Sequence, residues 1–130
     1  MDKLNNTTTQ FVNINAAYDR VFEYLTSPLL YKEWSINFIK GITKEENQIF
    51  AETPMGKVKF VIQGDKATGN IDLFFGNVPH PIPTRILRNG NGATYLFTLF
   101  QPEGMPDTIW QQGITGLIEE LQTLKTILEK

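Results

Sequence analysis

Two periods of hydrophobic and polar residues divide the chain. In "TQFVNIN" (residues 9–15) Val12 and Ile14 share one face and Phe11 and Asn13 the other, the alternation of a half-buried strand. "AAYDRVFEYL" (16–25) places Tyr18, Val21, Phe22 and Leu25 at helical spacing, with Asn15 as the expected N-cap. Ser27-Pro28 ends that helix, and "LLYKEW" (29–34) is long enough for one or two turns. From Ile36 the period returns to two. "INFIKGIT", "NQIFAET", "GKVKFVIQG", "GNIDLFFG", "TRILRN" and "ATYLFTLFQ" predict six further strands. Polar or glycine-containing turns separate them, and the "NGNG" run of Asn89 to Gly92 predicts a tight type I′ hairpin, whose two central residues need positive φ. The chain closes on a long amphipathic helix. Pro106 and Asp107 suit its first turn, and Trp110, Ile114, Leu117, Leu121, Leu124 and Leu128 form its apolar stripe. Residues 1–8 are polar and read as a disordered tail.

This order predicts an α+β fold: one strand, two short helices, six strands and one long helix, with a seven-stranded antiparallel sheet burying the helix stripe. A sheet that wide twists and curls. A single helix of about 24 residues, on the order of 36 Å long, crosses the concave face without filling it, so the pattern predicts a cavity between sheet and helix. The length of 130 residues suits one domain over 1–130.

Composition narrows the function classes. The chain is 41% hydrophobic and 20% charged, with net charge −2, an ordinary globular balance. Lysine and arginine are scattered, which argues against a nucleic-acid partner. No apolar run reaches the length of a membrane span, and the polar start does not read as a signal peptide. Cysteine is absent, which removes thiolate chemistry and fits a cytoplasmic protein.

Candidate chemistry is thin. His80, the single histidine, sits in "NVPHPIPTR" between prolines. A lone histidine can act as a general base, but no orienting partner is apparent, and the reading as a residue of a stiff rim at the sheet end is preferred. Arg85 shares a face with Pro83 and Leu87, opposite Ile82, Thr84 and Ile86. It could hold a ligand carboxylate, but an outward-facing arginine is favoured because an unpaired buried charge is costly. One histidine and no cysteine do not make a metal site, and the adjacent pairs Glu45-Glu46 and Glu119-Glu120 read as solvated. Asp72 alternates with Ile71 and Leu73 and should point outward. The aromatics carry more weight. Trp34, Phe38, Phe60, Phe75, Tyr95, Phe97 and Trp110, with Ile114, fall on predicted inner faces and are the candidate ligand contacts. Tyr95 and Trp110 each also bear a polar group that needs a partner when buried. Gly113 and Gly116 share one edge of the long helix, where they could leave room for an opening or for another backbone.

"VNINAAYDRVFEYLTSPLLYKEW" resembles the opening of the SRPBCC, or START/Bet v 1-like, superfamily: a strand ending in Ile-x-Ala, a Val-Phe helix, then Ser-Pro and a tryptophan. "GATYLFTLFQPEGMPDTIW", with the helix that ends in Leu-Lys-x-x-Leu-Glu, is similar to polyketide cyclase/dehydrase-like members. The resemblance implies a helix-grip fold, with the curved sheet wrapped around the C-terminal helix; no cofactor is expected. It carries over no catalytic residue. Three functions are compatible with it. The first is binding of a hydrophobic or amphipathic small molecule, with Tyr95, Trp110, Arg85 or His80 orienting a polar end. The second is a cyclase/dehydratase-type enzyme on a polyketide-like or aromatic substrate. The third is a protein-interaction module resembling chaperone co-activators. A monomer or a homodimer is expected.

Overall fold

The computed structural model describes residues 3–130. The chain runs β1 (Thr7–Ile14), α1 (Tyr18–Leu25), a 3-10 turn (Pro28–Leu30), α2 (Tyr31–Trp34), β2 (Gly41–Glu45), β3 (Gln48–Thr53), β4 (Gly56–Asp65), β5 (Asn70–Phe75), β6 (Ile82–Asn89), β7 (Gly92–Phe100) and α3 (Asp107–Leu128). All seven strands form one antiparallel sheet in the order β1-β7-β6-β5-β4-β3-β2. Every neighbouring pair except β1–β7 is consecutive in sequence. The first strand returns beside the last, and that single non-local pairing brings α1 and α2 back over the same face as α3.

Strand alternation sorts the sheet as the pattern predicts. Val12, Ile14, Phe60, Ile71, Leu73, Phe75, Ile86, Tyr95 and Phe97 are buried on the inner face, and Phe11 is 62% exposed on the outer one. Leu117, Leu121, Leu124 and Leu128 of α3 complete the core. The C-terminal half of α3 is also tied down by polar contacts. Lys125 Nζ donates to Asn13 O at 2.6 Å, the Asn15 amide donates to Glu129 Oε2 at 2.7 Å, and Arg20 donates to the Leu128 carbonyl.

Several local expectations are corrected. Thr7 and Thr8 pair with Phe100 and Leu99, so the strand begins inside the stretch expected to be a tail; residues 1 and 2 lie outside the described residues. Ala17, not Asn15, is the N-cap of α1, and it caps with no side chain; the Asn15 amide instead serves Glu129. At the other end of α1, Thr26 and Ser27 hydroxyls donate to the carbonyls of Phe22 and Glu23, which satisfies orphan acceptors of the last turn before Pro28. In the β6–β7 hairpin only Gly90, the first central residue, has positive φ, the type II′ pattern rather than I′.

The largest correction concerns Ile36 to Lys40. The alternation there predicts a strand, yet β2 starts only at Gly41. The reason is Glu120. Expected to be solvated, it is 5% exposed, and its Oε2 accepts from the backbone amides of Asn37 (2.8 Å) and Phe38 (3.0 Å). Asn37 Nδ2 in turn donates to Gly116 O at 3.1 Å. Amides engaged by a helix carboxylate are withdrawn from a sheet ladder, so the segment becomes a loop clamped to α3.

Two predictions follow from these contacts. Gly69, at φ +81°, would place a Cβ 2.0 Å from the Ile86 carbonyl, which lies in the adjoining ladder. Gly69→Ala should therefore lower stability by at least about 1–3 kcal/mol in urea unfolding. Burial raises the Glu120 carboxyl above the ordinary glutamate value of 4.5, against the lowering effect of its hydrogen bonds. The folded state then holds this proton more tightly than the unfolded chain. Its contribution to stability is full below 4.5 and is lost as pH rises through the higher folded value. Urea midpoints measured across that interval should show the stability of Glu120→Gln rising relative to the native chain as pH increases; parallel pH curves would refute this.

Candidate functional site

Six of the seven aromatic residues singled out in the sequence are brought into one continuous run of ring contacts, and the seventh place is taken by Tyr31. Phe38 meets Phe75 edge-on at 5.0 Å between centroids, and Phe75 stacks on Phe60 at 4.4 Å. Phe60 meets the edge of Tyr31 at 5.1 Å, and Tyr31 lies 5.1 Å from Trp34. Trp34 stands edge-on to Tyr95 at 6.2 Å, and Tyr95 to Phe97 at 6.3 Å. The sheet supplies four rings from inward positions of β4, β5 and β7. The single turn of α2 supplies Tyr31 and Trp34, three residues apart and therefore on one side of it. That spacing in "YKEW" was the available signal for Tyr31.

The run has a polar centre. Tyr31 Oη donates to Leu25 O at 2.5 Å, and Thr84 Oγ1 donates to Ile71 O at 2.7 Å. Both hydroxyls neighbour the Tyr95 phenol and partly offset the effect of burial, which pushes that phenol well above the ordinary tyrosine value. Tyr95 Oη has no aligned hydrogen-bond partner, and neither has Trp34 Nε1, although Tyr95 is 0% and Trp34 1% exposed. Thr84 and Tyr31, absent from the sequence-derived candidates, thus help to form the polar surroundings of Tyr95.

The remaining candidates lie apart from this centre. Trp110 is buried near the start of α3 but stands outside the contiguous core cluster, and Ile114 is half-buried. Gly116 touches Asn37 across the clamped loop, whereas a Cβ at Gly113, one turn earlier on the same helix edge, would meet nothing within 4 Å. One glycine admits a neighbouring segment and the other borders open space. His80 is exposed in the β5–β6 loop. Arg85 is exposed on the outer face, where Nε donates to Thr68 O at 3.1 Å. Neither residue belongs to the inner-face aromatic run, so neither is placed to orient a ligand there. Among the described residues, no group of three or more His, Asp or Glu side chains is arranged to hold a metal ion.

The rings of Tyr31 and Trp34 from α2 pack into the space expected between sheet and helix. Two open grooves lie elsewhere. One, of about 230 Å³, is formed by Tyr18, Arg88 and the Gly90–Gly92 turn. The other, of about 360 Å³, crosses β5, β6 and β7 beside Asp72, Arg85 and Leu96. Among the described residues, no helix is long and apolar enough to cross a membrane.

No protein-family model matches the sequence, and a search of curated proteins returns no match. Solved structures do match over almost the whole chain. A START superfamily protein from Mycobacterium smegmatis is 11% identical, covers 95% of this chain and 97% of its own, and superposes with a TM-score of 0.68. Ara h 8.0201 is 14% identical, with coverage of 95% and 97% and a TM-score of 0.62. The Aha1 dimer from Colwellia psychrerythraea is 17% identical, with coverage of 95% and 96% and a TM-score of 0.68. The seven-stranded curved sheet, the short helices and the long C-terminal helix are those of the START/Bet v 1-like helix-grip fold, and this chain has that fold.

Proposed function

We propose that this protein binds a hydrophobic small molecule among the rings between the sheet and α3. The observation that carries this reading is the pair of buried, unpartnered polar atoms, Trp34 Nε1 and Tyr95 Oη, at the centre of an aromatic core. An unsatisfied buried donor costs about 1–3 kcal/mol, and folded proteins contain few of them. Phenylalanine at Tyr95 would fill the same space without leaving a hydroxyl unpaired. A binding site keeps the hydroxyl for a partner that arrives from outside. The structural neighbours support the reading at the level of fold, since a curved sheet gripping one helix is an architecture suited to enclosing a ligand.

Entry requires the rings to part. The edge nearest solvent is the half-buried Phe38, which packs on Phe75 and follows Asn37, the residue that touches α3 at Gly116. An enzyme of the cyclase or dehydratase kind would need a proton acceptor at the site. Tyr95 is protonated at neutral pH, as tyrosines ordinarily are and the more so for its burial, and serves as a hydrogen-bond donor instead. Binding without chemistry is therefore the reading favoured here.

Stability and binding should separate at this site. Tyr95→Phe should leave stability unchanged or raise it by up to about 1 kcal/mol, because it removes an unpaired hydroxyl. Tyr31→Phe should lower stability by about 1 kcal/mol, because it breaks the bond to Leu25. Urea unfolding of both variants checks the contrast. For binding, Trp110→Phe leaves Trp34 as the sole tryptophan. Its emission should change saturably when flat aromatic compounds are titrated in, and His80→Ala or Arg85→Ala in that background should shift the midpoint less than about twofold, as surface changes do. Emission of Trp34 that stays constant up to the solubility limit of every compound in the panel would refute the binding function.

A further inference from the structure

Resting on that binding function, we infer that the molecule bound carries an uncharged hydrogen-bond acceptor, a carbonyl or ether oxygen on an otherwise apolar, flat frame, and that Tyr95 and Trp34 recognise it. The hydrogen inventory of the site leads to this class. An indole N–H donates and cannot accept. Tyr31 and Thr84 have already given their hydroxyl hydrogens to the Leu25 and Ile71 carbonyls. The two hydrogens left without an aligned acceptor belong to Trp34 Nε1 and Tyr95 Oη, on rings 6.2 Å apart between centroids. A ligand oxygen placed against them satisfies donors that the protein leaves unpaired. A purely hydrocarbon ligand leaves them unpaired as before.

Charge is selected against by the same surroundings. The buried polar and charged side chains among the described residues are Ser35, Thr53, Thr84 and Glu120, and none of them is a cation. An anionic ligand would lose its hydration without gaining a counter-charge, a heavy penalty in an aromatic interior. The surrounding rings favour flat, apolar frames through stacked and edge-on contacts of the kind they already make with each other. An aryl ketone has the required combination.

Matched probes that differ only at the acceptor test this. Fluorene and fluorenone, and the smaller indane and indanone, are titrated against the native protein and Tyr95→Phe, with tryptophan emission as the signal. In the native protein each ketone should bind about tenfold more tightly than its hydrocarbon, on the order expected for the gain of two neutral hydrogen bonds. In Tyr95→Phe most of the preference for each ketone over its hydrocarbon should be lost. The infrared carbonyl stretch of bound fluorenone should lie lower in the native protein than in Tyr95→Phe. Equal affinity for ketone and hydrocarbon in the native protein, or a preference that survives Tyr95→Phe with no shift of the carbonyl band, would overturn the acceptor assignment while leaving hydrophobic binding intact. Failure of all four probes to bind would overturn the binding function and the acceptor assignment together.

Discussion

One helix has to cover the inner face of seven strands, and most of the molecule's organisation is a response to that mismatch. The leucines of α3 bury well along its second half, where Lys125, Arg20 and Glu129 also fasten it beside β1 and α1. Its first half leaves Ile109 exposed and only Trp110 buried before Leu117. The uncovered sheet is closed instead by large rings, two of them delivered by the single turn of α2. Aromatic side chains are suited to this, since each covers a large area with few rotatable bonds.

The same mismatch explains why polar groups sit in the core. Tyr31 and Tyr95 reach inward far enough that their hydroxyls end near one another and near Thr84. Two of the three hydroxyls find backbone carbonyls. The third, with the Trp34 indole, does not. A buried network that is partly satisfied is a weak way to hold a fold and an effective way to discriminate among guests, because the low dielectric strengthens both the penalty for an unmet donor and the reward for a met one.

Glu120 shows a second device, in which a carboxylate on the helix replaces a piece of sheet. By accepting from the Asn37 and Phe38 amides it holds the α2–β2 connection against α3 and keeps Phe38 over Phe75. The connection between α2 and the edge strand is thus both a structural clamp and the segment that carries the outermost ring of the candidate site.

Period and turn chemistry in the amino-acid sequence were enough to reveal the element order, the antiparallel sheet, the inward positions of the strands and the helix stripe, because strands of one buried face and amphipathic helices impose periods of two and 3.6 that can be read locally. The outward placing of Arg85 and Asp72 was legible for the same reason. Glu120 was not, since its burial depends on two amides more than eighty residues earlier in the chain meeting it in space. Tyr31 was only half legible: its spacing from Trp34 marked a shared helical side, but the direction of that side is set by how α2 docks between α3 and the sheet. Which donors lack a partner lies still further from sequence. Tyr31 and Tyr95 are the same residue type in apolar surroundings, and only the tertiary structure sets one against a free carbonyl and leaves the other without an aligned partner.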